Sequence, residues 1–416
     1  MKKILFGVLI GLVAISMIGG SLVGCSSKSS SSTTTTATST PLTEKVITIG
    51  TDSPLTGPAA PWGLSVRDGV TLAAEDFNAA GGLTVGNIHY TFDVESLDDK
   101  YDTATTTNNI RQMVDSDGIK YLFTFQTEGT LALGPELSTD KVLSFTVVND
   151  NSVIAQPANS YCYRTYMLPP MEVDGYFKWM TQNHPEAKSL VYITTNNDNG
   201  VLLAGLIKQA CAKYGITYLD QILYDGGTTD FTPFITKILA ENPDIIHFVG
   251  APTGDAALII KTARDMGYKG ILSAGGIVSA SDMVGIAGQA DLEGVISTDL
   301  PLVAPTVSPT ILGLPAREDA KWGAHYGSTW DFYSQAWTMF QAIKKADSVD
   351  TTAVKAILDD DTQKYDYAAI TGGYATFGSP TAIAQFGSDG THQITNAWTV
   401  CIIHNGQDTI ASVINP

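Results

Sequence analysis

Cysteine is scarce in this chain, four in 416 residues, too few for a disulfide scaffold. There is no Cys-x-x-Cys and no His-Glu-x-x-His, and the six histidines are scattered, so no metal site is expected. Basic residues are short as well: 24 Lys+Arg stand against 42 Asp+Glu, a formal charge of -18. That leaves too little positive charge to displace counterions from a nucleic acid, which is excluded as a partner. No two glycines are separated by a single residue, so the dinucleotide-binding fingerprint is absent, and with it the Gly-Lys-Ser/Thr phosphate loop and the Gly-x-Ser-x-Gly nucleophile elbow. No cofactor is expected. The acidic groups Asp98-Asp99 and Asp359–Asp361 could serve a site, but in so acidic a chain they read more plainly as solvated turns than as paired catalytic carboxylates. What the chain does have is apolar content, 44% against 16% charged residues, which excludes a disordered polymer.

The N-terminus carries processing information. Lys2 and Lys3 precede an apolar run from Ile4 to Ile18, followed by small residues and Leu22-Val23-Gly24-Cys25. A charged start, a short apolar core and a small-residue site describe a secretory signal. The competing reading, an uncleaved membrane helix, suits the run less well because it is short and holds Gly7 and Gly11. The last four residues resemble the lipobox of bacterial lipoproteins. That resemblance implies removal of residues 1–24 and diacylation of Cys25. The remaining chain would carry -20, so lipid, and not charge, would hold it to a membrane. Ser26–Thr40 is almost wholly Ser, Thr and Ala and cannot bury a core. Residues 25–44 therefore read as a flexible tether, whose 15 Ser/Thr-rich residues reach roughly 20 Å. Cys162, Cys211 and Cys401 remain; an odd number leaves at least one free, as a small buried apolar residue.

From Lys45 onward, strand and helix signals alternate. Short apolar strands are expected at Val46–Gly50, Ile88–Val94, Tyr121–Phe125 and Val142–Val148, with helices over Val66–Phe77, Thr103–Val114 and Leu131–Leu137. The pattern restarts with strands at Leu190–Thr194, Tyr218–Leu223, Ile245–Val249, Ile271–Ala274 and Val295–Ser297, separated by helices at Val201–Tyr214, Phe231–Ala240 and Asp255–Met266. Helices at Trp330–Lys345 and Thr352–Leu358 and strand from Ile394 to Ile403 close the chain. Two successive runs of this kind imply two α/β lobes with mostly parallel sheets. Open sheets of that type bind ligands at the carboxyl ends of their strands. The loops concerned are Thr51–Gly63, Phe125–Thr130, Val148–Asn151, Asn196–Asn199, Gly250–Gly254 and Ala274–Ile277. They are rich in Thr, Asn, Asp and Gly, which suits a polar small-molecule site and equally suits ordinary turns.

Ile49-Gly50-Thr51-Asp52-Ser53-Pro54-Leu55-Thr56-Gly57-Pro58-Ala59, then Trp62-Gly63, Asp68-Gly69 and Leu72–Gly82, resemble the leucine/isoleucine/valine-binding family of ABC-transporter substrate-binding proteins. Asp117–Tyr121, Asp230-Phe231-Thr232 and Ala263–Tyr268 keep that family's order. The resemblance implies a type I periplasmic-binding fold in which two lobes close over a ligand. Lobe 1 would comprise residues 45–168 and 300–372, and lobe 2 residues 169–299 and 373–416. Crossings would fall near Met167–Pro170, Thr298–Pro301 and Gly372–Ala375.

By the same resemblance, Thr127 would hold a ligand carboxylate and the Val148 carbonyl would receive a ligand amine. Asp150 would stand where a Thr helps bind the carboxylate, and when ionised it would repel one. A register slip of one residue would instead put Asn149 or Asn151 in the pocket and Asp150 outside. The acid that pairs a ligand ammonium aligns with Gly275-Gly276, so that charge would come from Asp150 or Glu128, or the ligand lacks an ammonium. Trp62 aligns with an aromatic packing on the ligand, with Phe125, Trp330 and Tyr333 as further walls; Trp330 and Tyr333 fit helix packing equally well. Asn199 and Thr253 would face the cleft from lobe 2. The reading is a monomeric, lipid-anchored, extracytoplasmic binding protein that hands a small ligand to ABC permease subunits and catalyses nothing. The ligand would be a branched-chain amino acid or a relative such as an amide, a urea-like compound or an aromatic acid. A ligand sensor for a receptor, or less well a secreted hydrolase, are the alternatives.

Overall fold

The computed structural model describes residues 41–164, 169–275, 278–298, 309–366, 383–386, 392–395 and 398–414. The first lobe opens with β1 (Thr43–Ser53), which is exposed at its start and buried over its last five residues. Helix α1 (Ala60–Ala79) follows, with Pro61 in its first turn, where the missing N–H costs nothing. Then come β2 (Leu83–Val85), β3 (Ile88–Asp98), α2 (Thr103–Arg111), β4 (Tyr121–Thr124), α3 (Thr127–Thr139), β5 (Leu143–Thr146) and β6 (Cys162–Arg164). The sheet order is β2-β3-β1-β4-β5-β6. All neighbours run parallel except β2 and β3. The central strands β4 and β5 are buried on both faces, whereas β3 is half-buried and alternates.

The second lobe begins at α4 (Pro169–Asn183). It continues with β7 (Ser189–Thr195), α5 (Asp198–Tyr214), β8 (Thr217–Tyr224), α6 (Thr232–Ala240), β9 (Ile245–His247), α7 (Thr253–Asp265), β10 (Ile271–Ser273), α8 (Ala280–Ala287), α9 (Gln289–Leu292) and β11 (Ile296–Ser297). Four helices then follow: α10 (Pro309–Leu312), α11 (Leu314–Trp322), α12 (Thr329–Ala346) and α13 (Thr351–Leu358). Short strands β12 (Tyr365–Asp366), β13 (Ile383–Phe386) and β14 (Ile394–Thr395) form a small sheet, and β15 (Trp398–His404) and β16 (Gln407–Ile414) return to the second lobe. That lobe's sheet is ordered β16-β15-β11-β10-β9-β7-β8. It is parallel from β11 to β8 and antiparallel where β15 and β16 join.

Helix α12 packs on α1 of the first lobe. A Cβ on Gly69 would come within 2.6 Å of both Thr329 O and Tyr333 N, so glycine is what lets the two backbones approach. Phe77 stacks on Phe340 with centroids 4.5 Å apart. Cys162, Cys211 and Cys401 are all free and buried. Among the described residues no helix is long and apolar enough to cross a membrane. Cys25, Gly276 and most of the three expected crossings lie outside the described residues.

Sequence patterning missed α4, α8, α9, α10 and α11 and the strands β2, β6, β12, β13 and β16. Helix α4 opens on Pro169-Pro170, which reads as a break; its buried positions Val173, Tyr176, Phe177 and Met180 nonetheless keep helical spacing.

Candidate functional site

The carboxyl ends of β4 and β5 on one side and of β7, β9 and β10 on the other face a narrow cleft with about 70 Å³ of free space. From the first lobe, Trp62, Tyr101 and Phe125 form an aromatic wall. The Trp62 ring centroid lies 5.5 Å from Phe125 and 6.2 Å from Tyr101. Thr127 is the first residue of α3, whose N-cap Gln126 takes the Gly129 amide on its side chain at 2.6 Å. The positive end of that helix therefore lies at the cleft wall. Val147, Val148 and Asn149 follow β5 into the cleft. The second lobe contributes Glu172 from the first turn of α4, Asn199 and Leu203 from α5, and the turns Val249-Gly250 and Gly275 after β9 and β10. Gly250 and Gly275 have φ of 83° and 56°, a backbone that other residues adopt at a cost.

Hydrogen bonds join the two lobes across this cleft. Asn149 Nδ2 donates to Asn199 Oδ1 at 2.8 Å. The Asp198 amide donates to Glu128 Oε1 at 2.9 Å, and the Gly254 amide to Pro58 O at 3.1 Å. The Gly327 amide, just ahead of α12, donates to both carboxylate oxygens of Asp282 on α8, at 3.1 and 3.2 Å. This is the geometry of two lobes drawn together.

Of the residues expected at the site, Trp62, Phe125, Thr127, Val148, Asn149 and Asn199 meet around the cleft. Asp150 does not. Its Oδ1 accepts the Ser152 amide at 2.8 Å and the Ser152 hydroxyl at 2.7 Å. It caps the turn of 3-10 helix over Asn151–Ile154, a local bond that short acidic side chains favour. Asn149 stands at the wall instead. Trp330 and Tyr333 also lie elsewhere. Both are buried in α12 away from this cleft, where the Tyr333 hydroxyl donates to Asp76 at 2.7 Å and its ring stacks on Trp337. Thr253 begins α7, buried and just behind the Gly250 turn without lining the cleft.

Tyr101 and Glu172 were not legible beforehand. Tyr101 follows Lys100 in a turn where both have left-handed φ, 54° and 59°. Asp98 Oδ1 accepts the Lys100 amide at 3.0 Å and Asp99 Oδ1 the Tyr101 amide at 2.7 Å, fixing that turn. The Asp98-Asp99 pair is thus no solvated turn. Asp99 is fully buried, as is Asp52 on β1, whose Oδ1 accepts from Asn109 at 2.9 Å. Burial pushes the Asp99 carboxyl up to about 7. Burial, reinforced by the neighbouring Asp99 charge, pushes Asp52 up to about 8.

Arg164, at the end of β6, is wholly buried behind the cleft wall. Its Nη1 donates to Val148 O at 3.1 Å and to Asn149 O at 2.9 Å, its Nη2 to Asn151 Oδ1 at 2.6 Å, and its Nε to Gln393. The guanidinium sets the course of the wall loop, and burial pulls its pKa down to about 10.

Two α/β lobes with a cleft between them, lined by aromatic and polar side chains and closed by polar bridges, define a small-molecule binding protein. A family model described as periplasmic binding protein matches residues 46–406, and the chain belongs to that family. It is 26% identical over 254 residues to Leu/Ile/Val-binding protein homolog 3 of Brucella melitensis, covering 61% of this chain and 67% of that protein. It is 25% identical to Leu/Ile/Val-binding protein BraC3 of Rhizobium johnstonii, covering 50% of this chain and 56% of that protein. Among solved structures, it is similar to the leucine-binding protein LivK of Thermotoga maritima, with a TM-score of 0.72 at 19% identity over 89% of this chain and 99% of that one. A solute-binding protein of R. palustris in complex with 4-hydroxybenzoate gives a TM-score of 0.71 at 19% identity, over 89% and 96% of the two chains. The fold is the two-lobed type I arrangement of these proteins.

Proposed function

We propose that the chain is the extracytoplasmic substrate-binding component of an ABC importer, taking branched-chain amino acids or related small ligands and catalysing no reaction. The single observation that carries this is the cleft bridged by Asn149–Asn199 and Glu128–Asp198: a ligand that touches both walls favours the drawn-together state. The aromatic wall of Trp62, Tyr101 and Phe125 buries apolar ligand surface, while Thr127, Asn149 and Asn199 supply polar contacts. Names of the relatives support the branched-chain class, and the benzoate-type complexes among similar structures support the aromatic-acid class. Lipidation at Cys25 and the Ser/Thr-rich tether would hold the body at the membrane beside its permease.

The test is a thermal-shift screen of amino acids, amides and aromatic acids, followed by small-angle scattering. A cognate ligand raises the melting temperature, because it binds only the folded state, and lowers the radius of gyration. An unchanged radius at saturation would count against a closing binding protein.

A further inference from the structure

We infer that Glu172 is a ligand-binding residue that selects ligands carrying a protonated nitrogen; this rests on the binding-protein reading above. Among the described residues lining the cleft, Glu172 is the one with a charged side chain. It is 7% exposed, so its carboxylate is withdrawn from bulk water at the ligand surface. It stands in the first turn of the 15-residue helix α4, beside the positive partial charge of that helix's N-terminus.

The opposite wall has a buried cation behind it, while its carboxylates, Asp150 and Glu128, are turned to other partners. Arg164 lies behind the Val148–Asn149 segment with 0% exposure, donating to neutral oxygens. Among the described residues it has no carboxylate within ion-pair distance. Thr127 adds a hydroxyl and the start of α3. The cleft therefore has a positive pole on the first lobe and a negative pole on the second. A ligand whose only charge is a carboxylate meets the first pole and is repelled by Glu172. A ligand that also carries an ammonium satisfies both. Discrimination comes from the misfit of the wrong ligand as much as from the fit of the right one.

The experiment is calorimetric titration of the full chain with the twenty L-amino acids, with 4-methylpentanoate (leucine without its ammonium) and with 4-hydroxybenzoate. At least one amino acid is expected to bind at least about 30-fold more tightly than either amine-free acid. In Glu172→Gln the affinity should fall about 10- to 100-fold, and the preference over amine-free acids should shrink with it, as expected for losing one charge-assisted contact. An amine-free acid that binds the wild type as tightly as any amino acid overturns the assignment and leaves the binding-protein reading standing. So does a Glu172→Gln variant with unchanged melting temperature and unchanged preference. Should that variant not fold, the wild-type comparison alone decides. Binding by no probe at all overturns the assignment, and the binding-protein reading falls with it only if the thermal-shift screen finds no ligand either.

Discussion

Glu128 Oε1 accepts the backbone N–H of Asp198 at 2.9 Å, so a carboxylate of one lobe caps a helix of the other. Asp198 is the first residue of α5, and Asn197 already takes the Gly200 amide as that helix's own cap. Glu128 satisfies a second orphan donor that the helix cannot satisfy itself. Gln126 holds the other carboxylate oxygen. This bond exists only while the lobes are together, which makes it a term in the closing equilibrium and not in ligand contact.

Glu128→Ala should therefore weaken ligand binding by roughly tenfold, the effect of losing a helix cap of about 1 kcal/mol or somewhat more. Glu128→Gln, which keeps an acceptor, should lose less. Calorimetry measures the affinity, and scattering of the ligand-free chain should show a larger mean radius for the alanine variant. Equal affinity in all three proteins would mean that closure does not use this bond.

Acidity should act through Asp52. Its carboxyl is raised from 3.8 to about 8 in the folded protein, so the folded state holds a proton that the unfolded state releases. Its contribution to stability is full below about pH 4 and is lost as pH rises toward 8. Asp99, raised to about 7, acts in the same direction. Urea unfolding at pH 5 and pH 8 should show lower stability at pH 8, with a smaller difference in Asp52→Asn. Asp331 and Glu318, also raised by burial, keep the difference from vanishing.

Gly69→Ala should destabilise the fold by roughly 1–3 kcal/mol, the ordinary cost of overpacking. The added methyl would meet backbone atoms of α12 at 2.6 Å, and backbone yields less readily than a side-chain end. The readout is the urea midpoint, and a midpoint equal to wild type would refute the close packing of α1 on α12.

Cys25→Ser should release the chain from membranes. Detergent partitioning of the two forms checks this: wild type entering the aqueous phase removes the lipoprotein reading.

Much of the fold was legible because buried parallel strands write themselves as short apolar runs. Ile245–His247 and Ser189–Thr195 fall within a residue or two of where patterning puts them. The loops of the first-lobe half were legible because loops after such strands are where ligands bind; Trp62, Thr127 and, as one alternative, Asn149 were singled out within them only by the family resemblance. Asp150 misled because one residue of register decides which side chain enters a pocket, and the pairing of Asp150 with Ser152 leaves no signature in spacing. Tyr101 depends on two left-handed residues that are not glycine, held by Asp98 and Asp99. Glu172 depends on a helix arriving from another part of the chain. Neither has a local pattern to read.

The second lobe's sheet has a consequence for how the molecule is made. β11 pairs with β15, some hundred residues later, and β16 lies outermost. Until residues 398–414 are present, β11 stands as an open edge ready to pair with another chain. The first lobe waits too, because α12 must come back to cover α1. The first lobe lacks its α12 cover until Ala346 and the second its edge strands until Ile414, so folding of both is deferred until most of the chain is available. Long-range pairing of this kind is slow, and a chain cut short before Trp398 would expose a sticky strand and not yield a smaller working lobe.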